Sequence, residues 1–570
     1  MESQAASRPD GIAFSFLRDI KGDVFDDDLT YGQLRDSAQD IAEWLRVRGH
    51  GPGERALLVF SPGLEFTRAF FGCAYAGLIA VPAPPPGGSR ASIERLDGIL
   101  ASARPAMIIT DDRALPDVTE WLSERSDDHP PCVSIQRMEP AAGGGRRAPA
   151  RSPDALAVLQ FTSGSTSTPK GVEITHRNLL SNLNLIHAHV GAGEDLRGCG
   201  WLPLTHDMGL IGQFLYPLFV GGWCLMLPPL EFVRRPARWL ALISEHGVTH
   251  TCTPNFAYEL CARKVTDEQV AGLDLSRWRV ALNGAEPLQA ATMEAFAKRM
   301  SPAGFRLETF LPCYGLAEAT LLVAGKLNGE PLVTTSVDAA QLAARRLVPG
   351  SPDDRAATLV SSGQVLRGNV LIVEPATGVP LGDRRVGEIW VSGECVARGY
   401  WEDEEATGES FGFRTSDGRG PFLRTGDLGA RDGAELYVVG RIKDVIVVHG
   451  RNVYPHDLER AAQDQAGDLV FMSTAAFGLD GEHIVLIQEV RPPRGADAAL
   501  AEGASRIRRE LSRRAGTGKI SIVFVRPGAV RKTTSGKVSR SAMRRLFTES
   551  GLTPVYQSLS GELSAGSTGR

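Results

Sequence analysis

Residues 155–171 read ALAVLQFTSGSTSTPKG, and the change of character within this stretch decides the fold class. It starts as a short apolar run of strand length, then gives up bulk for Thr, Ser and Gly before ending on Pro-Lys-Gly. A buried strand that opens into small hydroxylated residues lets backbone N–H groups approach an anion, with hydroxyls as further donors and Lys170 as the charge. The stretch is read as a strand feeding a phosphate cradle. It is not a Walker A loop, because its lysine precedes the last glycine.

Similar apolar runs lie at 54–63 (ERALLVFSPG), 106–110 (AMIIT) and 279–286 (RVALNGAE). Between them run stretches of helical periodicity such as 29–47, where Leu34, Ala38, Ile41 and Leu45 share a face. That alternation predicts α/β layers. The 570 residues exceed the roughly 250–300 at which a single core stops growing, so at least two domains are expected. Residues 82–90 and 139–151, rich in Pro and Gly, read as irregular surface, and the Ser/Gly-rich end from 551 to 570 as a frayed tail.

Composition excludes little: 43% hydrophobic and 23% charged residues with a net charge of −5 suit a globular enzyme and favour neither nucleic acid nor membrane. The eight cysteines are scattered, without zinc-site spacing, and read as reduced thiols. With no secretory leader at the start, a cytoplasmic enzyme is expected. Residues 208–230 carry no charge and are long enough to span a bilayer, but Pro217, Gly221, Gly222, Pro228 and Pro229 break the run. It reads as buried structure or the wall of an apolar pocket, not as an integral membrane segment. Charge is uneven along the chain: 441–550 hold 19 Lys/Arg against 12 Asp/Glu, which marks a separate unit.

Four further motifs carry chemistry. In YGLAEAT (314–320) an aromatic face suits a base and Glu318 a metal ion. In RTGDLG (424–429) Asp427 sits on a turn where it can accept from two sugar hydroxyls. GRIKD (440–444) and RKTTSGKVSR (531–540) follow. Each is weak alone, since a lone Tyr-Gly or Gly-Asp is usually structural.

In order and spacing the five motifs resemble the superfamily of acyl-CoA synthetases, peptide-synthetase adenylation domains and luciferases, over nearly the whole chain. That resemblance implies a large N-terminal domain of layered α/β subdomains (1–440), and a small mobile C-terminal α+β domain (441–550) hinged at Lys443. It implies ATP and Mg²⁺. Thr162, Ser163, Gly164, Ser165, Thr166 and Lys170 would hold the β- and γ-phosphates; Gly284, Ala285 and Glu286 with Tyr314, Gly315, Leu316 and Ala317 would frame the adenine. Asp427 and Arg441 would hold the ribose, Glu318 and Thr166 the Mg²⁺, and Lys537 would be the catalytic lysine. A positioned ammonium suits that task, because a carboxylate attacking the α-phosphorus brings two anions together as pyrophosphate leaves.

WLPLTHDMGLIG (201–212), EFVRRPARW (231–239) and TPNFAYEL (253–260), with YGLAEATLLV, resemble the fatty acyl-AMP ligase branch, which passes the acyl group to the phosphopantetheine of an acyl carrier protein. By that likeness His206 gates the acyl pocket and Asp207 orients it, while a characteristic insertion falls at about 326–360. Leu210, Phe214, Phe219 and Trp223 are candidates for the tunnel wall. The expected substrate is a fatty acid and the expected partner an acyl carrier protein. A fatty acyl-CoA ligase and an amino- or aryl-acid adenylating enzyme are the alternatives. A non-catalytic nucleotide-binding protein is disfavoured, because Lys537 and Glu318 are both present.

Overall fold

The computed structural model describes residues 1–19, 24–87, 90–125, 129–139, 152–162, 169–350, 356–466, 470–479, 482–491, 497–532 and 537–560. The architecture is mixed α/β, a large N-terminal domain followed by a smaller C-terminal one. Two sheets dominate the first part. In the six-stranded sheet Cys132–Ser134, Met107–Thr110, Arg55–Val59, Ile79–Ala83 and Leu156–Phe161 run parallel, and Gly171–Thr175 closes the edge antiparallel to Leu156–Phe161. In the eight-stranded sheet Phe310–Gly315, Val280–Gly284, His250–Pro254, Arg197–Gly200, Trp223–Met226 and Ile12–Asp19 run parallel; Leu322–Gly325 and Val24–Thr30 flank them antiparallel.

The amphipathic stretch read at 29–47 forms the helix Tyr31–Val47, and Leu34, Ala38, Ile41 and Leu45 are all buried. Thr30 caps it: its hydroxyl accepts from the Gln33 N–H while the Gln33 side chain returns to the Thr30 N–H, satisfying two donors the helix cannot use. The uncharged run 208–230 is broken into Met208–Leu215, Tyr216–Val220 and the strand Trp223–Met226, with Gly221 turning the chain at φ +81°. No helix among the described residues is long and apolar enough to cross a membrane.

Beyond Arg441 the chain builds a hairpin, Ile446–Val448 with Arg451–Val453, and a sheet in the order Val470–Leu479, His483–Val490, Ile520–Val525, Pro554–Ser558. The helices Pro455–Ala466 and Asp497–Ala515 join this sheet in a core of their own around Leu458, Leu486, Ile507, Leu511 and Phe524. The tail expected to fray from 551 contributes the strand Pro554–Ser558, because the edge of Ile520–Val525 offers backbone partners that composition does not reveal. Residues 561–570 lie outside the described residues.

Candidate active site

Parallel sheets gather loops at the carboxyl ends of their strands. Thr162 follows Phe161, Ala285 and Glu286 follow Gly284, and Leu316 to Glu318 follow Gly315; the loop after Gly200 delivers His206 and Asp207. All of these except Gly200 and Gly284 line one cavity of about 1520 Å³, shared with Tyr314, Asp427, Arg441 and Lys537. Residues separated by hundreds of positions thus meet around one space, and Lys537 reaches it from the C-terminal part. Gly284 lies beneath as a fully buried strand end.

The loop 314–321 is tightly folded. Thr320 adopts φ +69°, ψ −62°, closed by the Leu321 N–H donating to the Ala319 carbonyl at 2.8 Å, a γ-turn that a β-branched residue adopts only under constraint. The Thr320 hydroxyl helps to hold it by donating to the Cys395 carbonyl at 2.6 Å. Gly315 is required beside it: a Cβ there would stand 1.7 Å from the Leu321 carbonyl oxygen. These constraints present Glu318 to the cavity, where its carboxylate accepts from the Tyr400 hydroxyl at 2.8 Å. Burial raises the Glu318 pKa above the ordinary carboxyl value, and the Tyr400 bond opposes that rise.

Tyr314 donates its hydroxyl to Asp427 Oδ2 at 2.8 Å, and Arg441 Nε donates to Asp427 Oδ1 at 3.0 Å. Asp427 is thus anchored on both oxygens, with Arg441 half in solvent. Glu286 accepts from the Phe256 N–H, and burial pushes its carboxyl up to about 7. His206 Nδ1 lies 2.7 Å from Asp207 Oδ1, which also accepts from the Met208 N–H at 2.7 Å. Burial works to raise the Asp207 pKa, but the His206 ring and the Lys537 charge prevail and hold it below the usual carboxylate value. For Lys537, burial lowers the ammonium pKa, the Asp207 carboxylate opposes the drop, and Arg441 adds to it. Arg540, three residues on, bonds Asp444 at 3.1 Å and Glu459 at 2.7 Å, which fixes the segment that carries Lys537.

Some expected residues lie elsewhere. Ser163, Gly164, Ser165 and Thr166 lie outside the described residues. The neck of their loop is closed by the Thr162 N–H donating to the Lys170 carbonyl at 3.0 Å. Lys170 does not line the main cavity; its Nζ stands 5.1 Å from the centre of the Tyr400 ring, whose hydroxyl bonds Glu318. Lys443 is exposed in the short turn Ile442–Asp444, between Glu435–Arg441 and Ile446–Val448.

Leu210, Phe214, Phe219 and Trp223 do not line the cavity. Met208–Leu215 is a π-helix whose positions 208 and 212 face the cavity. Positions 210 and 214, half a turn away, face the core, where the Phe214 ring packs 5.1 Å from Phe14 and 5.7 Å from Phe70. Phe219 packs against His187, and Trp223 donates its indole N–H to Ser15 at 2.8 Å. The apolar cavity wall is made instead by Met208, Gly212, Ile186, Cys252, Leu282 and Leu321. Nothing in the sequence singles out Tyr400, which lies 82 positions from the Glu318 it contacts.

The segment expected as an insertion forms a strand pair, Thr334–Asp338 with Ala356–Val360, joined through the helix Ala339–Ala343. Val337, Leu342 and Leu347 share a small core with Val439 and Tyr454, and Asn452 donates to the Ala343 carbonyl at 3.3 Å. The segment therefore touches the hairpin that opens the C-terminal part.

A family model described as AMP-binding enzyme matches residues 1–401. The chain is 40% identical to the medium-chain-fatty-acid–acyl-carrier-protein ligase JamA of Moorena producens, over 94% of this chain and 92% of the relative. It is 35% identical to the long-chain-fatty-acid–AMP ligase FadD26 of Mycobacterium marinum, over 95% of each. Among solved structures, the fatty acyl-adenylate ligase of L. pneumophila in complex with acyl adenylate and pyrophosphate superposes with a TM-score of 0.75 at 34% identity, covering 98% of this chain and 96% of that one.

Proposed function

The chain belongs to the AMP-binding enzyme family, and from that premise we propose that it activates a fatty acid with ATP and hands the acyl group to an acyl carrier protein. The observation that carries this reading is the meeting of Lys537 with His206–Asp207, Glu318, Tyr314 and the Asp427–Arg441 pair around one cavity with an apolar wall. In the first step a carboxylate oxygen attacks the α-phosphorus, the bond to the bridging oxygen breaks, and pyrophosphate leaves. Lys537 offsets the charge that builds as the two anions meet. Asp427, fixed by Tyr314 and Arg441, accepts from the ribose hydroxyls, and Tyr314 with Ala285 and Glu286 frames the base.

In the second step the phosphopantetheine thiol of the carrier attacks the acyl carbonyl, and AMP leaves with the electron pair. His206, oriented by Asp207, stands where the apolar wall begins, as a gate between acid and adenylate would. The reaction suits Mg²⁺, and the residues fit it: Glu318 offers one cavity-facing carboxylate, and this ion takes one or two carboxylates beside phosphate oxygens and water. When bound there it would neutralise phosphate charge.

The domain boundary near 440 and the hinge at Lys443 are part of this proposal, since Lys537 must move away before a carrier thiol can approach. The strand pair within 326–360 touches the hairpin next to that hinge, and this contact supports a role in restraining the swing that free coenzyme A would need. Eight free thiols suit a reducing cytoplasm. The test is to supply ATP, Mg²⁺ and a ladder of fatty acids, then offer coenzyme A and holo carrier protein separately. Acylated carrier is the expected product; acyl-CoA as the dominant product would sink the assignment to the carrier-loading branch.

A further inference from the structure

Arg95 is a cation that the chemistry above does not use. It projects from the helix Arg90–Ala103 to the cavity wall, beside Gln160, Phe161 and Thr162 where the phosphate-loop strand ends. Its Nη2 donates to the Phe161 carbonyl at 3.2 Å and its Nη1 to the Thr162 carbonyl at 3.4 Å. Its Nε is buried and makes no hydrogen bond among the described residues. Arg8, Arg46 and Arg68 also bury their Nε, but each meets a glutamate: Glu194 at 3.6 Å, Glu43 at 2.9 Å and Glu65 at 3.7 Å. No carboxylate among the described residues pairs with Arg95, and burial alone lowers its pKa.

Arg95 is half-buried, and a guanidinium partly withdrawn from water without an anion bears a cost that an arriving anion offsets. Two carbonyls aim the planar fork and supply only partial negative charge. We propose that Arg95 is a binding residue for the β- and γ-phosphates of ATP, and for the pyrophosphate they become, contributed from outside the phosphate loop. Its carbonyl bonds hold the fork at the strand end, on the wall of the cavity that Arg95 lines. The assignment rests on the adenylating reading of this cavity and adds a second cation to Lys537 on its lining.

The test is equilibrium binding of ATP and of AMP, each with Mg²⁺, to the full chain and to Arg95→Gln and Arg95→Lys. Loss of a charged hydrogen bond to phosphate predicts roughly tenfold weaker ATP binding in Arg95→Gln, with AMP affinity held within about twofold and most of the ATP affinity restored by Arg95→Lys. Melting temperature reports whether each variant folds, and Arg95→Met, which keeps the bulk and removes the charge, carries the comparison with the same expected loss if Arg95→Gln does not fold. Equal losses for ATP and AMP would mean that the arginine only props the strand end, and unchanged ATP binding would end the proposal outright. A wild type that prefers ATP through Arg95 but never adenylates a fatty acid would overturn the substrate reading and leave the Arg95 assignment supported.

Discussion

Burial and the neighbouring Arg441 disfavour the charge of Lys537, and Asp207 foremost opposes them. An ammonium in such surroundings is suited to anions that arrive during the reaction. Lys537→Ala is therefore expected to slow acid-dependent pyrophosphate release by ~10²–10³-fold while AMP still binds, as removal of a group that stabilises transition-state charge does. Glu286 gives a pH signature. Its carboxyl titrates at about 7 in the folded chain against an ordinary 4.5, so its protonated form favours folding. That stability is fully present below about 4.5 and is lost as pH rises to about 7. Glu286→Gln, which mimics the protonated form, should match the wild-type melting temperature at the acid end and exceed it increasingly towards neutrality; a constant offset at every pH would refute the shift. At this scale much was legible. Tyr314, Glu318, Asp427 and Arg441 announce themselves because loop chemistry is written in short, local motifs. Tyr400 and Arg95 do not, since each acts on a residue far away in sequence, and a single Tyr or Arg in an ordinary strand or helix context has no signature.

At the scale of elements, strands and amphipathic helices were readable because burial imposes a period, as Leu34, Ala38, Ile41 and Leu45 show. The π-helix Met208–Leu215 was not, because its sequence is uncharged throughout and, Gln213 aside, apolar, so period cannot tell the cavity face from the core face. Leu210 and Phe214, candidates for the tunnel wall, do not line the cavity and pack into the core. The strand Pro554–Ser558 escaped notice because an edge strand of five mixed residues is specified by its neighbour more than by its own pattern. Once the π-helix faces are known, Gly212 becomes a position where an added side chain would intrude on the apolar wall. A Cβ there would lie 3.0 Å from Cys252 Sγ and 3.5 Å from Leu321 Cδ2, both on the apolar wall. Gly212→Leu should therefore lower kcat/KM for the longest acids by roughly 10–100-fold, the worth of lost methylene contacts, and leave the shortest acids and the ATP KM unchanged. A uniform loss across the chain-length ladder would instead indicate a disturbed helix.

For the whole molecule, the asymmetry of charge becomes specific once structure divides the arginines. From 505 to 545 there are 13 basic residues and one acid, Glu510, yet several of the cations are already committed. Arg508 donates to the Ile520 carbonyl at 3.1 Å and to Ser558, while Arg513 and Arg514 both close on Glu510, at 2.7 and 2.6 Å. Reversing Arg508 or Arg513 would therefore disturb packing as well as charge. Arg509, Arg544 and Arg545 are exposed, and the last two lie on the helix Arg540–Thr548 that follows Lys537. A field presented on that face would steer an acidic carrier towards the cavity, raising the rate of encounter more than the strength of the complex. Changing Arg509, Arg544 and Arg545 together to Glu should therefore slow carrier acylation severalfold at low salt while acid-dependent pyrophosphate release stays at its wild-type rate. The deficit should shrink as salt is raised past about 0.1 M, where the Debye length falls to about 10 Å. Equal rates for variant and wild type at low salt would show that the basic face does not guide the carrier, and a deficit that salt leaves untouched would point to lost contacts in place of steering.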